Sequence, residues 1–195
     1  MHVAAVTADE IYERYLQKAI TEINRLSHEI ARAADGAPTA LPTGHPLANI
    51  FLLKYGPQEQ ELQEGVAFHG RAGNALIKSL QRLHVDPLEV YGTNCVKFAG
   101  ADVTLSRTWL GRELRIVEPK LLVVMGEDAL AFLNDLDFPL SREVEEGTEP
   151  QRFTPSIEAL VVPDIDSSLD DQAAKTAFWN AFKTVGSWWA ALPPY

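Results

Sequence analysis

Cys95 is the only thiol in this 195-residue chain. That excludes an internal disulfide and any all-cysteine metal or cluster site within the chain, so no cofactor of that kind is expected. A reducing, cytoplasmic setting follows as the default. Long apolar runs are missing too: nothing reaches the roughly 18 unbroken apolar residues that a membrane span needs. The segment MHVAAVTADEIYERYL has neither a basic n-region nor an apolar h-region, so no secretory signal is expected in it. Positive charge is scarce, with 17 Lys and Arg against 27 Asp and Glu and a net charge of -10. Such a surface cannot grip nucleic acid as a whole, because phosphate contacts need Lys and Arg. A local basic cleft stays compatible with it. His2, His28, His45 and His84 show no metal-ligand spacing.

What is present suits a packed domain. Apolar residues make up 46%, with four Trp, five Tyr and eight Phe, so the chain folds rather than staying disordered. From Ala8 to about Arg32, Ile11, Tyr15, Ile20, Ile23, Leu26 and Ile30 recur at helical spacing, with Thr7 or Asp9 as the cap. A Pro/Gly-rich connector, residues 35–46, follows. The chain then alternates. Strands are expected at Ala48–Leu53, Val90–Asn94, Leu121–Met125 and Leu160–Val162. Helices are expected at Ala72–Leu83, Ser106–Val117, Glu127–Leu133 and Asp170–Leu192, and residues 141–150 form an acidic loop. Apolar strands separated by helices predict a parallel sheet covered on both faces. Ligands of such folds bind beyond the carboxyl ends of the strands. Those ends are KYGPQ (54–58), TNCVKF (93–98), MGEDA (125–129) and PDIDSSLDD (163–171).

These loops, in this order, resemble family 4 uracil-DNA glycosylases. EGVAFHGRAGNAL (64–76) is similar to the segment with a pocket phenylalanine followed by G-R-A-G. VYGTNCVK (90–97) is similar to a strand ending in T-N-x-V-K, and residues 107–133 to R-P-x-L, I-x-P-K, an apolar strand and G-x-x-A. The match runs without gaps from about His45 to Leu133 and is weaker from about 155 to 190. It implies a three-layer α/β/α sandwich with a mainly parallel four-stranded sheet over residues 37–195, and an N-terminal helical extension, 1–36, packed on it. It also implies base-excision chemistry, in which a nucleotide is extruded into a pocket and stacked on an aromatic ring. By position, Phe68 is that ring, Asn94 the amide that reads the base edge, and Pro57 part of the pocket. Arg71, Lys97 and Ser168 are the DNA-phosphate candidates. Lys54 and Arg107 are further cations near the expected cleft.

Three departures from the family stand out. Its first loop reads G-E-x-P-G, but here Tyr55 replaces the catalytic acid. A phenol near its ordinary pKa of about 10 is a poor base and carries no charge to offset a developing cation. Tyr55 is also bulky enough to fill space that a uracil needs. The last loop reads H-P-S in the family; here Asp166 replaces the His, and no histidine follows His84. Residues 164–171 carry four aspartates and no basic residue. An Asp about 7 Å from a phosphate costs about 0.6 kcal/mol even in water. Finally, the family's iron–sulfur cysteines are absent. Phe98 and Ser106 occupy two of their places, Cys95 matches none, and no cluster is expected.

The expectation is therefore a degenerate member of base-excision-repair ancestry, with a remnant base pocket and absent or very weak activity. Its ligand would be DNA, a nucleobase, a nucleotide or a protein, with DNA disfavoured by the acidic loop. The alternative is a divergent active DNA glycosylase for uracil or another deaminated base, with Glu61 or His69 standing in for the missing acid. The run QEQELQE around Glu61 otherwise reads as a solvated face.

Overall fold

A computed structural model of the protein describes residues 7–193. His2 and the first residues of the 1–36 segment lie outside the described residues. Helix α1, Ala8–Ala33, opens on a reciprocal cap: Glu10 N–H donates to Thr7 Oγ1, and Thr7 N–H donates to Glu10. Its buried Leu26 and Ile30 pack with Phe98 and Trp109, and Glu29 accepts from Trp109 and Arg112.

Six strands follow: β1 Thr43–Gly44, β2 Ile50–Lys54, β3 Val90–Asn94, β4 Leu121–Met125, β5 Gln151–Arg152 and β6 Glu158–Val162. They form one sheet in the order β1-β3-β2-β4-β6-β5. The four central strands are mutually parallel. They are the four expected strands: β3 and β4 have the expected bounds, β2 is shifted to end at Lys54, and β6 begins two residues earlier. The two-residue strands at the margins pair antiparallel and were not expected. Segments that short carry no period-2 signal.

Successive residues of each parallel strand enter opposite layers, because side chains alternate across a sheet. Phe51, Leu53, Leu122 and Val124 join one cluster with α4 (Val103–Val117) and α5 (Glu127–Asn134). Ile50, Leu52, Leu121 and Val123 join another with α3 (Arg71–Arg82), α7 (Gln172–Phe182) and α8 (Thr184–Ala190). This is the α/β/α sandwich. Burying each such Leu or Ile contributes about 1.5–3 kcal/mol.

The long closing helix expected over Asp170–Leu192 is two pieces, with a separate short helix before it. Ile165–Ser168 forms the short α6, and α7 and α8 are divided at Lys183. The division brings Val185 into the same buried cluster as Phe178 and Phe182. A further helix, α2 (Glu59–Glu64), occupies the acidic run that read as a solvated face. Among the described residues, no helix is long and apolar enough to cross a membrane.

Candidate functional site

The register of the sheet builds the site. Lys54 lies directly beside Asn94 on one side and Met125 on the other, at the carboxyl edge of the sheet. Alternation sends the Lys54 side chain to the α3 face, after Ile50 and Leu52. There its Nζ lies 5.6 Å from the centre of the Phe68 ring. Tyr55, the next residue, goes to the opposite face. Its ring meets Phe132 of α5 edge-on at 6.3 Å, and it is 42% exposed. Tyr55 therefore does not fill the space between Phe68 and Asn94.

Lys54 and Glu61 fill that space instead. The Lys54 ammonium is fully buried and donates to Glu61 Oε2 at 2.6 Å, Asp166 Oδ2 at 2.8 Å and the Gly56 carbonyl at 2.8 Å. Those three acceptors saturate its three protons. Glu61, 1% exposed, accepts from the Phe68 backbone N–H and from Asn94 Nδ2, the latter at 3.4 Å. Its other oxygen also accepts from the Gln58 N–H at 2.7 Å. Glu61 thus takes donors from both residues expected to hold a base. Asn94 Oδ1 is buried without a partner, an omission that costs about 1–3 kcal/mol.

Gly73, the second glycine of the G-R-A-G segment, and Gly92 of β3 are required by this arrangement. Phe68 adopts a left-handed φ of 62°, which a bulky residue keeps only where its surroundings impose it. Its carbonyl passes so close to Gly73 that a Cβ there would lie 1.9 Å away, and its ring lies 2.8 Å from where a Cβ of Gly92 would stand.

Two carboxyl groups, those of Glu61 and Asp166, converge on the one ammonium of Lys54. Burial raises the Asp166 carboxyl above its ordinary range; Lys54 opposes this, and Asp164 and Glu61 add to it. Asp166 also receives a hydrogen bond from Gln58 at 3.2 Å. A cleft of about 990 Å³ opens beside this cluster at the ends of β2, β4 and β6. Pro57 and Tyr55 line it, as do Glu127, Asp128, Glu146 and Asp164, and no Lys or Arg does.

The phosphate candidates are placed differently from one another. Lys97 does not face solvent: it is fully buried and bonded to Glu113 Oε2 at 2.6 Å, to the Asn94 carbonyl and to Thr93. Tyr91 donates to the other Glu113 oxygen. Ser168 is 3% exposed and donates to the Asp164 carbonyl. Both are taken out of reach of a phosphate by their internal partners. Arg71 is exposed, but it pairs with Asp170 at 3.0 Å and bonds the Leu169 carbonyl. Arg107 pairs with Asp135. His69 is exposed beside Phe68, at the rim of a depression that also reaches Glu61 and Asp166.

Sequence reasoning missed Glu113 and the partnership of Lys54. Both had a signal. Lys54 ends an apolar strand, and Glu113 falls on the buried stripe Ser106, Trp109, Leu110, Leu114 and Val117 of α4. A charge at such a position demands a buried partner.

The donor set does not suit an iron–sulfur cluster. At the matched positions, Phe98 packs against Trp109 at 6.2 Å and Ser106 is a buried hydroxyl. Cys95 is enclosed, and burial pushes its thiol up, away from the thiolate a ligand must be. Among the described residues, no three His, Cys, Asp or Glu side chains are grouped to hold a metal ion.

The sequence model of the Uracil DNA glycosylase superfamily matches residues 41–184. A type-4 uracil-DNA glycosylase of Sulfurisphaera tokodaii is 28% identical over 99 residues, covering 46% of this chain and 45% of that protein. The chain thus spans just under half the length of this curated relative.

Proposed function

The chain belongs to the uracil-DNA glycosylase superfamily, and from that premise we propose that it is a degenerate member whose base pocket is filled by its own side chains. The observation that carries this reading is the Lys54–Glu61 pair seated against the Phe68 N–H and the Asn94 amide. A base entering between Phe68 and Asn94 would have to expel a buried carboxylate. The replacement of the acid by Tyr55 and of the His by Asp166 supports the same reading. So does the absence of basic residues lining the cleft, since duplex binding rests on phosphate neutralisation. On this reading residues 37–195 are the glycosylase-like domain, residues 1–36 an appended helical extension, and the setting a reducing cytoplasm.

One observation favours the active alternative. Glu61 places a carboxylate in the pocket, where an oxocarbenium-like transition state would be stabilised by negative charge. In that reading Phe68 and Asn94 hold the base, and Glu61 must first leave Lys54. Single- and double-stranded DNA carrying uracil, hypoxanthine or xanthine, treated to cleave abasic sites after incubation, separates the two. The degenerate reading expects no scission. Scission that disappears in Asn94→Ala or Phe68→Ala would overturn it.

A further inference from the structure

Helix α2 has one buried residue, and that residue is Glu61. Helices usually dock through an apolar stripe. Here a carboxylate does the docking, with Leu62 half-buried beside it. Besides the Gln58 N–H, which belongs to the cap of α2 itself, three donors from the body of the fold meet that carboxylate: the Lys54 ammonium, the Phe68 backbone N–H and the Asn94 amide. Lys54 and Asn94 are neighbours in the sheet register, and Phe68 is held against Gly73 and Gly92. The donors are thus set by the body of the fold rather than by α2. The occupant fits them incompletely, because Asn94 Oδ1 has no partner and Asn94 Nδ2 reaches Glu61 only at 3.4 Å. A depression of about 150 Å³, bordered by Gln58, His69, Arg71 and Asp166, leads to Glu61 between α2 and α6.

We propose that α2 is a self-occupying lid: Glu61 is the internal ligand of a carboxylate receptor made by Lys54, Phe68 and Asn94, and the opening of α2 exposes that receptor to an exogenous small carboxylate. The proposal rests on the reading that Glu61 occupies the base site. A segment with few buried apolar contacts opens at a free energy well below that of global unfolding. A buried ion pair adds little net holding energy, because desolvation offsets the attraction. While tethered, Glu61 has the advantage of an intramolecular ligand over a free anion. Removing its carboxylate leaves the receptor to free anions.

Two measurements on the full chain test the lid and the receptor separately. In native-state hydrogen exchange of the wild type, the amides of Leu62, Val66 and Phe68 are expected to exchange together, at least 100-fold faster than those of β2 and β4. Exchange of these amides only with the sheet overturns the lid. In the second, Glu61→Ala is titrated with sodium acetate, with sodium chloride at equal ionic strength and acetamide as controls. Acetate is expected to raise the Tm of the variant saturably and to leave the wild type unmoved. Acetamide has no effect, and adding Asn94→Ala weakens the acetate response at least tenfold. No response, or the same response in the wild type, overturns the receptor. Should Glu61→Ala fail to fold, Glu61→Gln takes its place: Phe68 is expected to exchange at least tenfold faster than in the wild type, and unchanged exchange overturns the proposal. Neither measurement uses DNA, so excision of uracil by the wild type would sink the degenerate reading alone, and failure of the lid would leave that reading standing.

Discussion

Lys54 and Glu61 stand seven residues apart in the chain and 2.6 Å apart in the fold, both shut away from water. The contact closes the loop KYGPQ on itself, because the same ammonium also holds the Gly56 carbonyl. It reaches across to the last loop as well, where Asp166 is its third partner. A carboxylate that serves a substrate must be free to meet it. Here the carboxylate is already paired.

Lys54→Met leaves Glu61 buried without its counter-charge. Loss of one partner of a buried pair costs about 3–5 kcal/mol. Urea unfolding is expected to show that loss, and the double variant Lys54→Met, Glu61→Leu is expected to recover most of it. A single variant within about 0.5 kcal/mol of wild type would mean that the pair is open to solvent.

Asp166 sets a pH dependence. Its carboxyl is held above the ordinary aspartate value of 3.8, burial being the largest cause. Between that value and the raised one, the folded state binds more protons than the unfolded state, so this group's contribution to stability falls as pH rises. The stability of wild type minus that of Asp166→Asn is expected to decline through this window and to level off above it. A difference that grows with pH would contradict the placement of Asp166 against Asp164 and Glu61.

On the reading proposed above, Tyr55→Glu returns an acid to the first loop but sends it to the α5 face. No uracil release from single-stranded DNA is expected, and stability should stay within about 1 kcal/mol because the ring is partly exposed. Turnover by this single variant would show that Lys54 and Glu61 do not block the pocket.

Lys97 and Arg71 should separate cleanly. Lys97→Met strands the buried Glu113 and is expected to cost about 3–5 kcal/mol. Arg71→Ala removes an exposed pair worth roughly 0–1 kcal/mol. Chemical denaturation of both variants checks the contrast, and equal effects would contradict the burial of Lys97.

Cys95 is enclosed, and burial raises its thiol far above the range in which thiolate forms. An aromatic disulfide reagent at pH 8 is expected to leave the native protein unlabelled and to titrate one thiol in urea. Rapid native labelling would place Cys95 at the surface.

The order of strands and helices was legible because the signals are local. Apolar runs such as LLVVM, and the spacing of Leu26, Ile30 and their neighbours, depend on the chain within one or two turns. The family motifs were legible because they are contiguous stretches, as where Gly73 makes room for the carbonyl of Phe68 five residues before it; the approach of the Phe68 ring to Gly92 was not legible in that way. The edge strands β1 and β5 were not, being two residues long. Nor was α2, whose acidic run has no apolar stripe to announce a helix that docks by a carboxylate.

The sequence by itself determined the layered α/β/α scaffold and the loops from which a site would be built, since period and motif are written in contiguous residues. Only the tertiary structure decided what occupies the pocket. Lys54, Glu61, Phe68, Asn94 and Asp166 come from five separate segments. Whether a lysine at the end of an apolar strand meets water or a carboxylate depends on sheet register and on which face alternation gives it. That register sends Lys54 inward, between Phe68 and Glu61, and Tyr55 outward.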